Sequence, residues 1–175
     1  MKRLILGGVR SGKSRLAEKF ALGSGLAVTY IATATVQDGA MQQRINHHQA
    51  RRPKEWQLIE EPYRLADMLQ KEARADRFLL VDCLTLWLTS LLLLDDETRL
   101  AQELAALQQC LPTLPGEIAL VSNETGLGVV PMGELSRRFC DEAGFLHQNL
   151  AQICDQVILT VAGLPHFLKG KPDAT

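Results

Sequence analysis

The chain has almost no excess of either charge: 19 basic and 20 acidic side chains in 175 residues leave a net charge of −1. A protein so balanced exerts no global pull on nucleic acid or on an anionic membrane, so any affinity for anions has to be local. Cysteine is sparse, and Cys83, Cys110, Cys140 and Cys154 form no C-x-x-C pair and show no metal-ligand spacing. That argues against a cysteine-ligated metal site or a disulfide framework and for reduced thiols in a cytoplasmic protein. Long apolar runs are missing as well. The greasiest stretch, Phe78 to Leu94, is interrupted by Asp82 and falls short of the about 20 residues that a membrane helix needs. The apolar run behind Met1-Lys2-Arg3 is too short for a secretion signal, because glycines begin at Gly7. There is no internal repeat, low-complexity tract or linker, and 46% hydrophobic content at this length suits one well-buried domain.

What is present is concentrated near the start. The apolar run Leu4-Ile5-Leu6 leads into Gly7-Gly8-Val9-Arg10-Ser11-Gly12-Lys13-Ser14, which fits G-x-x-x-x-G-K-[ST]. Glycines let the backbone curl until its N–H groups point at phosphate oxygens, and the helix that follows aims its positive end at the same place. Lys13 is then expected at the β/γ-phosphates and Ser14 at a Mg²⁺ ion. The alternative is an ordinary glycine-rich turn, which would explain neither the Lys-Ser pair nor the flanking elements.

Along the rest of the chain, short strands alternate with helical patterns. Strands are expected at Leu4–Leu6, Ala27–Ala32, Trp56–Glu60, Arg77–Asp82, Ile118–Ser122 and Gln156–Val161. Helices are expected from Gly12 to about Leu22, from Asp38 or Gly39 to about Ala50, and from Pro62 to about Ala73. Three more follow: Leu84 to Leu94, one starting near Asp95 and closed by Pro112, and Gly133 to Ile153, whose inward residues would be Leu135, Phe139, Ala143, Leu146, Leu150 and Ile153. The tail from Gly163 has no clear pattern. This order predicts an α/β fold, a mostly parallel sheet with helices on both faces, in a single domain.

Asp82 closes an apolar strand, the position from which a carboxylate holds the Mg²⁺ shell of a bound triphosphate; its plainer role is a helix cap. Thr33-Ala34-Thr35 ends another strand, where ligands of open α/β sheets bind. In the helix expected over 39–50, spacing by three and four puts Arg44, His47 and Arg51 in one row and Met41, Ile45 and His48 in the next. His47 is thus flanked by cations that favour its neutral form, and a neutral imidazole can attack phosphorus to give a phosphoramidate. His48 reads as a packing residue. Glu60 and Glu124 could serve the cleft or be solvated, while His147 and His166 read as surface or cap residues. The absence of an N-K-x-D stretch leaves guanine recognition of the small-GTPase type unsupported. On motifs alone, a phosphate-loop kinase for a small molecule and a nucleotide-binding regulator both stay open.

Several stretches together resemble the bifunctional adenosylcobinamide kinase and adenosylcobinamide-phosphate guanylyltransferase family of cobalamin biosynthesis. They are the phosphate loop, Tyr30-Ile31-Ala32-Thr33, Arg44-Ile45-Asn46-His47-His48, Arg52-Pro53 with Trp56, and Val121-Ser122-Asn123-Glu124-Thr125-Gly126-Leu127-Gly128-Val129-Val130-Pro131. The resemblance spans nearly the whole chain. It implies phosphorylation of adenosylcobinamide by ATP or GTP, then GMP transfer from GTP through a covalent adduct on His47. It further implies that Gly7, Gly8, Val9, Arg10, Ser11, Gly12, Lys13 and Ser14 bind GTP phosphates. Ala32, Thr33, Ala34, His48, Gln49, Ala50 and Arg51 would contact the nucleotide, with Glu60 and Asp82 completing the site. A RecA-like P-loop core assembled as a homotrimer is the implied architecture, with small molecules as the only other partners, and no nucleic acid or membrane insertion.

Overall fold

The computed structural model describes residues 1–34 and 53–172. The helix expected over 39–50, and with it His47, His48, Gln49, Ala50 and Arg51, lies outside the described residues.

Within them the chain forms seven strands: β1 (Lys2–Gly7), β2 (Ala27–Ala32), β3 (Gln57–Glu60), β4 (Arg77–Asp82), β5 (Glu117–Asn123), β6 (Gln156–Val161) and β7 (Leu164–Lys169). The helices are α1 (Lys13–Gly23), α2 (Leu65–Glu72), α3 (Leu84–Leu92), α4 (Glu97–Cys110) and α5 (Glu134–Ile153). One sheet takes all seven strands in the order β3-β2-β4-β5-β1-β6-β7. The first six run parallel, and β7 returns antiparallel to β6.

Strand alternation explains why the sheet is buried on both faces. On β1, Leu4 and Leu6 face one core while Ile5 faces the other; on β4, Leu79 and Val81 oppose Phe78 and Leu80. The first core takes α2, α3, α4 and α5, with Trp87, Leu88 and Leu91 of α3 fully buried. The second takes Ala17 and Ala21 of α1, whose small side chains let that helix lie close to the sheet. The two-faced α/β architecture expected from the sequence is therefore found.

Two local expectations need correction. The tail after Gly163 is ordered: Ala162 and Gly163, at φ 52° and 81°, make the two-residue turn that joins β6 to β7. Both residues need φ > 0 in a type I′ hairpin, and a Gly at the second position makes that cheap. Leu135, expected to face inward, is exposed at the start of α5, so inward packing of that helix begins only at Phe139.

Parallel pairing sets all the strand ends along one edge. Glu60 is in register with Ala32, Ala32 with Asp82, and Gly7 with both Asn123 and Thr160. Functional side chains collect at such carboxyl ends because the loops leaving them are free of the ladder.

Candidate functional site

The phosphate loop is built by its glycines and by a neighbour far along the chain. Ser11 N–H donates to the Gly8 carbonyl at 3.2 Å, closing a turn that includes Arg10 at φ 57°. Gly12, at φ 100°, then starts α1. A Cβ there would be strained and would also meet Gly163 Cα at 3.0 Å. Gly163 N–H donates to the Ser11 carbonyl at 2.8 Å, so the β6–β7 turn braces the loop from outside.

Lys13 is buried, and its ammonium donates to the Gly8 carbonyl at 3.0 Å. Burial holds its pKa below the ordinary lysine value, with the Asp82 carboxylate acting in the opposite direction. Ser14 follows in the first turn of α1 and is half-buried. Gly8, Val9 and Arg10 are exposed, as backbone that has to approach a ligand must be.

Asp82 ends β4, two strands from β1, which places it about 10 Å from the loop. Its Oδ2 accepts from the Tyr30 hydroxyl at 2.9 Å, a contact the sequence did not reveal. Cys83 behind it is a neutral thiol: burial first, then Asp82, pushes it up to about 11. Thr33 is fully buried, and its hydroxyl donates to the Cys83 carbonyl at 2.6 Å while accepting from the Cys83 N–H at 2.9 Å. That side chain therefore pins the end of β2 to the end of β4, with Ala32 and Ala34 half-buried on either side. Glu60 is exposed at the tip of β3, four strand spacings or roughly 19 Å from Gly7, so it shares the edge but not the phosphate loop.

Between loop and Asp82 comes the tip of β5. Glu124 N–H donates to the Gly7 carbonyl at 3.0 Å, continuing the β1–β5 ladder one residue past Asn123. Beneath it His147 is only 8% exposed, not a surface residue as the sequence suggested. Its Nε2 is 2.8 Å from the Ser122 hydroxyl, and its Nδ1 is 3.6 Å from Glu124 Oε2. The signal was available: four residues after Ala143 and three before Leu150, His147 stands on the buried stripe of α5. Beyond Glu124 the chain lines a groove of about 470 Å³. Thr125, Val129 and Pro131 line it together with Leu92 and Phe139.

A phosphate loop leaving a central strand of a parallel sheet, with a carboxylate at the tip of a strand two places away, defines a P-loop nucleotide-binding protein of the RecA-like class. Two solved structures share that fold. A RadB recombinase aligns at TM-score 0.51 and 16% identity, over 90% of this chain and 73% of its own. A Pyrococcus horikoshii protein aligns at TM-score 0.57 and 8% identity, over 98% of this chain and 87% of its own.

Within that class the sequence is decisive: residues 3–168 match the family of cobinamide kinase / cobinamide phosphate guanyltransferase, and the chain belongs to it. It is 65% identical to the bifunctional adenosylcobalamin biosynthesis protein CobP of Pseudomonas aeruginosa, over 98% of this chain and 99% of that protein. It is 36% identical to the bifunctional adenosylcobalamin biosynthesis protein CobU of Salmonella typhimurium, over 94% and 97%.

Proposed function

We propose that the chain catalyses two successive transfers in cobalamin biosynthesis. In the first, the aminopropanol hydroxyl of adenosylcobinamide takes the γ-phosphoryl group of ATP or GTP. In the second, His47 attacks the α-phosphorus of GTP, pyrophosphate leaves, and GMP passes to adenosylcobinamide phosphate to give adenosylcobinamide-GDP. The observation that carries this reading is 65% identity along nearly the full length of a protein that bears the bifunctional description.

The residues have distinct parts in it. Loop amides between Gly7 and Ser14 hold phosphate oxygens, and Lys13 exchanges its Gly8 carbonyl for the β/γ-phosphates. The oxygen donors Ser14 and Asp82 suit Mg²⁺, which keeps most of its shell for water and substrate phosphate. When bound, the ion supplies charge neutralisation at the β- and γ-phosphates. His47 acts as a neutral nucleophile, with Arg44 and Arg51 offsetting charge on the phosphate it attacks. Ala32, Ala34, His48, Gln49 and Ala50 are assigned to nucleotide contact, and Thr33, whose hydroxyl and N–H are both engaged with the end of β4, to holding Ala32 and Ala34 in place for it. Glu60 would reach only a part of the ligand remote from the phosphates. The protein is assigned to the cytoplasm and to a homotrimer. What supports self-association is an exposed apolar run in which Val129 is 96% and Met132 94% accessible.

GTP labelled at the α- or the γ-phosphate tests the reading. An acid-labile, alkali-stable protein adduct from the α-label alone, absent in His47→Ala, is the expected result. With no adduct but γ-label still transferred to adenosylcobinamide, a kinase without nucleotidyl transfer would remain.

A further inference from the structure

A kinase step on an alcohol needs a group that takes the hydroxyl proton, and the described residues offer four carboxylates along the active edge of the sheet. Three are otherwise placed. Glu60 is roughly 19 Å from the loop. Glu61 holds the turn that leads into α2, its Oε1 accepting from the Tyr63 and Arg64 N–H groups at 2.9 and 2.8 Å. Asp82 accepts from the Tyr30 hydroxyl and is the carboxylate assigned to Mg²⁺.

Glu124 is different. Its own N–H is tied to the Gly7 carbonyl, so its backbone is fixed to the base of the phosphate loop. Strand order places it between that loop and Asp82. Oε1 accepts from Gly126 N–H at 2.7 Å, and Oε2 faces His147 Nδ1 at 3.6 Å, longer than a hydrogen bond but close enough for attraction. A carboxylate has about four lone-pair sites, so acceptor capacity remains for a substrate hydroxyl. The side chain keeps 20% of its surface accessible, and the next residue, Thr125, lines the 470 Å³ groove.

His147 is held with equal care. Because a carboxylate only accepts, the imidazole presents its Nδ1 proton to Glu124 and its Nε2 lone pair to the Ser122 hydroxyl. Ser122 in turn is 3.5 Å from the Thr85 hydroxyl, which accepts from Asn123 N–H at 2.7 Å. The chain of contacts runs from α3 through β5 to α5 and ends on one half-buried carboxylate. Burial lowers the His147 pKa while Glu124 opposes the change, in keeping with a neutral ring.

We infer that Glu124 is the general base of phosphoryl transfer and that His147 is its positioning residue. The inference rests on the kinase half of the proposed function. As the acceptor oxygen bonds to the γ-phosphorus, its proton passes to Glu124. The bond from the γ-phosphorus to the β-phosphate oxygen breaks, and the nucleoside diphosphate leaves with the electron pair. Glu124 then releases the proton to water.

The test is steady-state phosphorylation of adenosylcobinamide by the full chain, with Tm and nucleotide affinity measured alongside. Glu124→Gln keeps the shape and removes the base, so kcat should fall about 10²-fold or more with nucleotide KM and Tm little changed. Labelling of the protein from the α-phosphate of GTP deprotonates no hydroxyl and should fall less than about fivefold. His147→Asn retains a donor near the Nδ1 position and should preserve kcat within about threefold, whereas His147→Gln, which reaches only toward Ser122, should lose about tenfold. A purely structural histidine would lower Tm in both variants and leave kcat of the folded protein alike. Unchanged kcat in Glu124→Gln, beside an active unaltered protein, overturns the inference alone. No phosphoryl transfer by the unaltered protein overturns the kinase reading with it.

Discussion

Gly7 and Gly8 stand side by side in the phosphate loop, yet the space around them differs so much that Gly7→Ala and Gly8→Ala should behave oppositely. A Cβ on Gly7 would stand 2.4 Å from Ser11 Oγ and 2.6 Å from the Thr160 carbonyl oxygen, against the 3.4 Å at which ordinary contact begins. Ser11 can rotate away. The carbonyl cannot, because Thr160 lies in β6 and is in register with Gly7 itself. Relief of the clash has to separate β1 from β6 by most of an ångström, an overpacking that costs about 1–3 kcal/mol. For a chain of this size that is a fall in Tm of about 2–12 °C. The loop moves with the strand, so nucleotide affinity should fall as well. A Cβ on Gly8 meets nothing within 4 Å, and its φ lies outside the left-handed range. Gly8→Ala should therefore hold Tm within about 2 °C. Thermal melts of both variants without nucleotide, followed by nucleotide titration, decide the matter. Equal Tm for the two would refute the steric account of the loop.

Other perturbations separate the parts of the site. Lys13→Ala should slow both transfers by about 10²-fold or more, and normal turnover in that variant would remove the loop from the mechanism. His47→Ala should abolish the α-phosphate adduct while more than about a tenth of the kinase rate survives, read by γ-label transfer to adenosylcobinamide. Burial holds the folded pKa of His147 below its ordinary 6.5, so the native state binds fewer protons there than the unfolded chain. Its contribution is fully present above about pH 6.5 and is lost as pH falls through the depressed value, with Glu124 the charged group facing the ring. Melts of the unaltered protein and of His147→Asn should diverge in that acidic range and run parallel above it.

The loop at Gly7–Ser14 and the Asp82 strand were legible because each is a local pattern: a fixed spacing of glycines, or an apolar run closed by one acid. The tip of β5 was legible only as a polar loop. Its meaning depends on strand order, which puts residue 124 against residue 7 although 117 positions separate them. Tyr30 was hidden for the same reason, since its partner Asp82 stands on the neighbouring strand. His147 was misread for a different one. Polar character suggested the surface, while its place on the α5 stripe pointed inward, and the buried Ser122 hydroxyl supplies the partner that makes burial tolerable. The β7 hairpin was missed because Leu164–Lys169 is mostly exposed and carries no strong alternation; only the Ala162-Gly163 pair marked the turn.

The bracing of Ser11 by Gly163 has a consequence for the order of events at the ribosome. Strand β1 pairs only with β5 and β6, so the first strand to be made finds no neighbour until more than a hundred residues have followed. At about 5–20 residues per second, residues 7–14 emerge several seconds before the β6–β7 turn that steadies them. Until β5, β6 and the turn after β6 are made, the loop therefore lacks both strand neighbours of β1 and the bond from Gly163 to Ser11. A chain cut short before β6 would carry the whole loop sequence without the partners that shape it.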